Sequence, residues 1–303
     1  MLTLTLALDP KVGTVDTVRT DEYRAWEARL GRISEAATQW QQSFNGAPAT
    51  VEPGSDLADD DVTFESFSIL NLVGYSLAAA TEHLDFTLTA MKQTSTLYPT
   101  AYLTVLRTSL LAASHAAWML TPTQRSERQL RALQFLSDDV RTQLVMVREA
   151  FAPKDAERTA KERMIEVLLE RQAQLQPIAD ALKPGLQVDK CRINNTSIIE
   201  SVAQAAHDED VVQGGVNHIW RSGSAAAHGS RGFATIRLKQ NTIVEAPTGG
   251  KYSLLRGDLV NDIGPAAAAA TLALSFAFKM FDERRLEPNT ASADNTIQMP
   301  YRY

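Results

Sequence analysis

Two neighbouring stretches, Phe64 to about Gln93 and Tyr98 to Leu120, are apolar around most of a helical circumference. Phe67, Leu70, Leu72, Val73, Tyr75, Leu77 and a run of alanines cover a wide arc of the first. A helix of that kind is unstable in water unless other helices surround it. The pair therefore predicts the centre of a helical bundle, and the rest of the chain must supply its walls.

Suitable walls are present. From Asp21 to Phe44, the residues Tyr23, Trp26, Leu30, Ile33, Ala37, Trp40 and Phe44 recur at steps of three and four, one stripe facing a partner helix or a dimer seam. Thr121-Pro122 breaks the chain before a helix from Arg125 to Ala150. Further helices are expected over 155–183, 196–207, 211–227 and 259–285. Leu2, Leu4, Leu6 and Leu8 alternate with polar residues as a short edge strand would. Three β-prone runs beginning at Ala234, Thr242 and Tyr252 suggest a small β-hairpin or flap at about 234–254, before the last helix.

The expected organisation is a strand and helix over 1–45, an acidic linker over 46–62, a helical bundle over 63–287 and a loose polar tail over 288–303. The linker assignment rests on Gly, Pro and the acids Asp56, Asp59, Asp60 and Asp61. The fold class is mainly α.

In a chain of 303 residues, an apolar fraction of 44% suffices for a sizeable core. A net charge of −6 argues against coating nucleic acid by bulk attraction, while leaving room for a local basic site. One cysteine, Cys191, cannot build a disulfide framework or a Cys-rich zinc site, which fits a reducing, cytoplasmic setting. The N-terminal run lacks a basic n-region, and no stretch approaches 18 uninterrupted apolar residues, so neither a signal peptide nor a membrane span is expected. Phosphate-loop, dinucleotide-binding, nucleophile-elbow and zinc-protease signatures are missing, and no metal or cofactor is expected.

The segment richest in chemistry is His218-Ile-Trp-Arg221-Ser-Gly-Ser224-Ala-Ala-Ala-His228-Gly229. Positions 221, 224 and 228 share a helical face, which offers a guanidinium, a hydroxyl and an imidazole together. Gly229 should end the helix and leave His228 in its last turn, where the helix dipole favours positive charge.

An Arg followed by six residues and a His resembles the signature of the HEPN superfamily of helical-bundle proteins. The resemblance implies an antiparallel bundle that dimerises and sets two such motifs face to face, and many members are metal-independent endoribonucleases. By that resemblance, Arg221 would hold the scissile phosphate of an RNA and His228 would act in proton transfer, with Ser224 beside them. The run from Leu106 to Leu120, with Arg125, Arg128 and Arg131 and the later Trp220, Arg221, Ser224, His228 and Gly229, is similar to a group of bacterial HEPN-like proteins. That group often carries Glu where this chain has Leu111. A toxin or defence effector of this type would need restraint, for example by an inhibitory partner protein. The alternative is a non-catalytic helical adaptor on the same scaffold.

RNA chemistry needs little more than such a site. RNA carries its own nucleophile, the 2′-hydroxyl, so proton transfer and stabilisation of charge on phosphate suffice. Other candidates are weighed beside the motif. His218 either joins the site or flanks it. Arg125, Arg128 and Arg131 form a ridge that either meets phosphate or pairs with Glu127, Asp138 and Asp139, the second being favoured. Arg107, mid-helix among apolar residues, either completes the Arg221 site or pairs with Glu82 or Asp85. His115 is expected to be a hydrogen-bonded core residue, and His83 a poor metal ligand.

Overall fold

The computed structural model describes residues 3–6, 17–44, 49–64, 67–237, 243–245 and 251–287. The chain is mainly helical, and α4 (Ala101–Leu120) lies at its centre. It packs against α3 (Ile69–Thr94) on one side and α10 (Gly264–Arg285) on another. Leu106 and Leu110 of α4 have no exposed surface, and each contributes about 2 kcal/mol by leaving water. A cross-helix bond, Ser109 Oγ to Ala80 O at 2.7 Å, satisfies the buried hydroxyl.

α1 (Thr17–Phe44) lies on α3 and α10, and its stripe is buried at Ile33, Ala37 and Trp40. Trp40 stacks on Phe278 of α10, with ring centroids 5.4 Å apart. α7 (Asn195–Ala206) and α8 (Asp210–Ala227) cover a third side of α4. α5 (Arg125–Glu149) and α6 (Asp155–Leu182) form a helical hairpin. α6 rests chiefly on α5 and on the 3₁₀ turn Val188–Lys190. Lys161 Nζ bonds the carbonyls of Arg148 and Ala150 at 2.6 and 3.0 Å, which closes the C-terminal end of α5.

Three elements differ from expectation. Within the stretch expected to be an acidic linker, Asp56–Asp61 forms a helix, α2, capped by Ser55 Oγ on the Ala58 amide. Its acids are structural. Asp60 is fully buried and takes both Nε and Nη2 of Arg128, at 2.6 and 3.1 Å. Asp56 pairs with Arg284 at 2.5 Å, and Asp61 accepts from the Ser68 hydroxyl and the Ile69 amide where α3 begins.

Residues 234–236, read as β-prone, lie in a short helix, α9 (Arg231–Ile236). The reason is local: Ser230 caps it by accepting from the Phe233 amide, and Arg237 at its end reaches Asp262 at 2.5 Å and Pro99 O at 2.8 Å. Beyond it, β2 (Ile243–Glu245) pairs antiparallel with β3 (Lys251–Leu255), and β1 (Thr3–Leu6) pairs parallel with β3, Thr3 opposite Tyr252. The third difference is at the last helix, which opens with a π-turn over Leu259–Ile263 before α10. There a Cβ on Gly264 would stand 2.6 Å from the Trp26 ring, so only glycine lets α1 approach.

The expected tail over 288–303 lies outside the described residues. Among those that are described, one helix, Leu259–Arg285, is long and apolar enough to cross a membrane, and 67% of its apolar window is buried inside the fold.

Candidate functional site

The last turns of α8 carry the motif, and backbone geometry fixes where they stop. Gly229 takes φ +63, the left-handed conformation that glycine adopts without strain. The Ser230 amide bonds Ala225 O at 2.9 Å and the Gly229 amide bonds Ala226 O at 3.1 Å, a Schellman ending. His228 is therefore the capping residue just after Ala227, at the helix end that its glycine neighbour predicts.

Arg221 and His228 are both exposed. Arg221 meets Glu200 of α7 at 3.6 Å, and its side chain is 70% exposed, a geometry worth little in water. The His228 side chain has no hydrogen-bond partner among the described residues. Trp220 is buried, and its Nε1 donates to Thr196 Oγ1 at 3.0 Å, which ties α8 to the start of α7. Asn194 Oδ1 caps that start by accepting from the Thr196 and Ser197 amides.

Ser224 turns inward. Its hydroxyl donates to Trp220 O at 2.9 Å and accepts from Arg107 Nε at 2.7 Å. With its proton so placed, Ser224 holds Arg107 rather than facing solvent beside His228. Arg107 lies with its Cζ 4.1 Å from the centroid of the Trp220 ring. Burial pushes its guanidinium below the ordinary arginine range. Neither Glu82 nor Asp85 pairs with it among the described residues, so Arg107 belongs to the α4–α8 contact.

That contact depends on a residue that the sequence motif does not single out. A Cβ on Gly223 would stand 2.6 Å from Arg107 Cβ and 2.9 Å from Leu103 O. The only sequence signal for it is the small-residue run Ser222-Gly223-Ser224.

The remaining candidates are scattered. Arg128 is 2% exposed and committed to Asp60, Pro122 O and Thr123 O, so it meets no phosphate. Arg125 is bonded to Asp59 O and stands 3.8 Å from Asp60. Arg131 pairs with Glu127 at 2.6 Å and lies over Trp118. The ridge is thus paired, but its main acid is Asp60, with Asp138 taken by Arg141. His218 is exposed, with Nε2 3.3 Å from Ser222 Oγ one turn on. His115 Nε2 bonds Asn195 Oδ1 at 2.9 Å and sits edge-on to Phe135, the core histidine expected, and burial holds its imidazole below the ordinary value. His83 Nδ1 is bound to Ala79 O. Among the described residues, no three His, Cys, Asp or Glu side chains gather as metal ligands would.

Comparison with protein-family models, with curated proteins and with solved structures gave no match.

Proposed function

We propose that the protein is a metal-independent endoribonuclease of HEPN type, acting as a homodimer in the manner of a toxin or defence effector. One observation carries the reading. Arg221, in the last two turns of α8, and His228, which caps it, both face solvent, and the one ion pair between them and the fold is the exposed Arg221–Glu200 contact among the described residues.

The chemistry follows from what such a pair can do. The Arg221 fork would hold the scissile phosphate. Imidazole takes or gives a proton near neutral pH. One His228 would remove the proton of the 2′-hydroxyl as it attacks the adjacent phosphorus. The His228 of a second copy would protonate the departing 5′-oxygen. The products are a 2′,3′-cyclic phosphate and a 5′-hydroxyl end. Two proton transfers and one His228 per chain are the reason for the dimer. In this scheme Ser224 positions side chains and takes no part in the reaction, and Arg125 and Arg128 lie outside it. An inhibitory partner protein would restrain the activity.

The test is cleavage of mixed RNA and a tRNA pool by purified protein in EDTA. The expected result is cyclic-phosphate ends, with the rate falling about 10²-fold or more in His228→Ala. Folded dimer that cleaves nothing, with or without cell extract as a source of activator, would count against the enzyme. A second reading, a non-catalytic adaptor, would then stand. It is favoured by apolar side chains exposed along the α5–α6 hairpin, with Phe151 at 90% and Met146 at 67%.

A further inference from the structure

Arg107 is an outlier within its own molecule. Arg128, Arg131, Arg141, Arg237, Arg284 and Arg285 are the other arginines that the fold buries or half-buries among the described residues. Each has a carboxylate within 2.7 Å. Arg107 has none among those residues. Among the described residues its one hydrogen bond uses Nε, and the four N–H groups of Nη1 and Nη2 meet no protein acceptor there. Neither Nη atom is buried, so the half-buried fork opens toward solvent, where an anion or an oxygen-rich group can reach it.

The side chain is also held still. Gly223 lets α8 press on its Cβ and Cγ, Ser224 fixes Nε, and the Trp220 ring backs the guanidinium plane. The Trp220 indole is itself tethered to Thr196. Burial alone accounts for the lowered proton affinity of this group, with no neighbouring charge contributing. A fixed, planar and uncompensated fork is what bidentate recognition of a tetrahedral oxyanion requires.

We propose that the Nη1–Nη2 edge of Arg107, backed by Trp220 and braced by Ser224, is a binding site for a phosphate group. The site lies where α4 meets α8, with its brace Ser224 about one turn from Arg221 and His228, and it does not depend on the chain cutting RNA. The phosphate is either that of a polynucleotide strand or a free phosphate ion.

The chain has four tryptophans, so four indole N–H resonances report on it in an amide-correlation spectrum. Trp220→Phe identifies the one at the site. Titration of the wild-type chain with inorganic phosphate is expected to shift that resonance and to raise the melting temperature. Arg107→Met keeps the carbons that meet Gly223 and should lose both responses. Arg107→Lys keeps the charge without the fork and should bind about tenfold more weakly. A short single-stranded oligoribonucleotide that competes with phosphate identifies the strand as the source, and failure to compete identifies the free ion. Loss of RNA cleavage in His228→Ala with the phosphate response intact would separate this site from the catalytic one. A wild-type chain indifferent to phosphate overturns the proposal. So does a response that persists in Arg107→Met or, should that variant not fold, is undiminished in Arg107→Lys.

Discussion

Gly223→Ala tests the close approach of α8 to α4, and its outcome can be worked from distances. A Cβ at 223 would meet Arg107 Cβ at 2.6 Å, Leu103 O at 2.9 Å and Arg107 Cγ at 3.2 Å. Ordinary carbon contacts need about 1 Å more than the shortest of these. The backbone carbonyl of α4 cannot rotate away, so the two helices must part. Overpacking of this kind costs about 1–3 kcal/mol. Against it stands the gain in helix propensity on replacing glycine by alanine, about 1 kcal/mol. The net expectation is a loss of up to about 2 kcal/mol. Gly215 on the same helix provides the control, because a Cβ there meets nothing within 4 Å. Gly215→Ala should therefore show the propensity gain alone, about 0.5–1 kcal/mol. At about 2 cal/mol/K of unfolding entropy per residue, 1 kcal/mol moves the midpoint of a chain this long by about 2 °C. Calorimetry should then find Gly223→Ala lower than wild type by up to about 4 °C and Gly215→Ala higher by about 1–2 °C. Equal increases in both would show that α4 and α8 do not pack as described, and that Arg107 is not clamped between them.

Two further outcomes are expected. Asp60→Ala strands Arg128, 2% exposed, without its bidentate partner, and should cost about 3–5 kcal/mol in urea unfolding, whereas replacing both by apolar residues should cost much less. His115 is held below its ordinary value of 6.5 by burial, so the unfolded chain binds a proton before the folded one does; its contribution is fully present above pH 6.5 and is lost as pH falls. Wild-type stability should drop on acidification with a slope of at most about 1.4 kcal/mol per pH unit from this group, and His115→Gln should flatten the curve by that share, leaving the part of the same sign from His207.

What the sequence disclosed and what it hid differ in range. The wide apolar arcs of α3 and α4, the stop at Gly229 and the hydrogen-bonded His115 follow from spacing within one or two turns. α2 was hidden because its stability lies elsewhere in the chain. Asp60 is 68 positions from Arg128, and Asp56 is 228 from Arg284. Read alone, four acids beside Gly and Pro look solvated. The three-residue and four-residue steps that put Arg221, Ser224 and His228 on one face hold as geometry, yet α4 covers one edge of that face and takes Ser224 inward. Nothing in the sequence of α8 announces Arg107 as its neighbour, since the pairing needs Gly223 to bring two distant helices together.

The α5–α6 hairpin leads in another direction. Leu168, Leu175 and Leu182 line the inner seam of α6 at intervals of seven, with Ile165 and Ala179 two heptads apart beside them, and α5 bears most of that seam. Seven residues added to or removed from each arm would leave the register intact. Such a change at the outer end of the hairpin would alter its reach and leave α4 and α8, which carry Arg107 and Arg221, where they are.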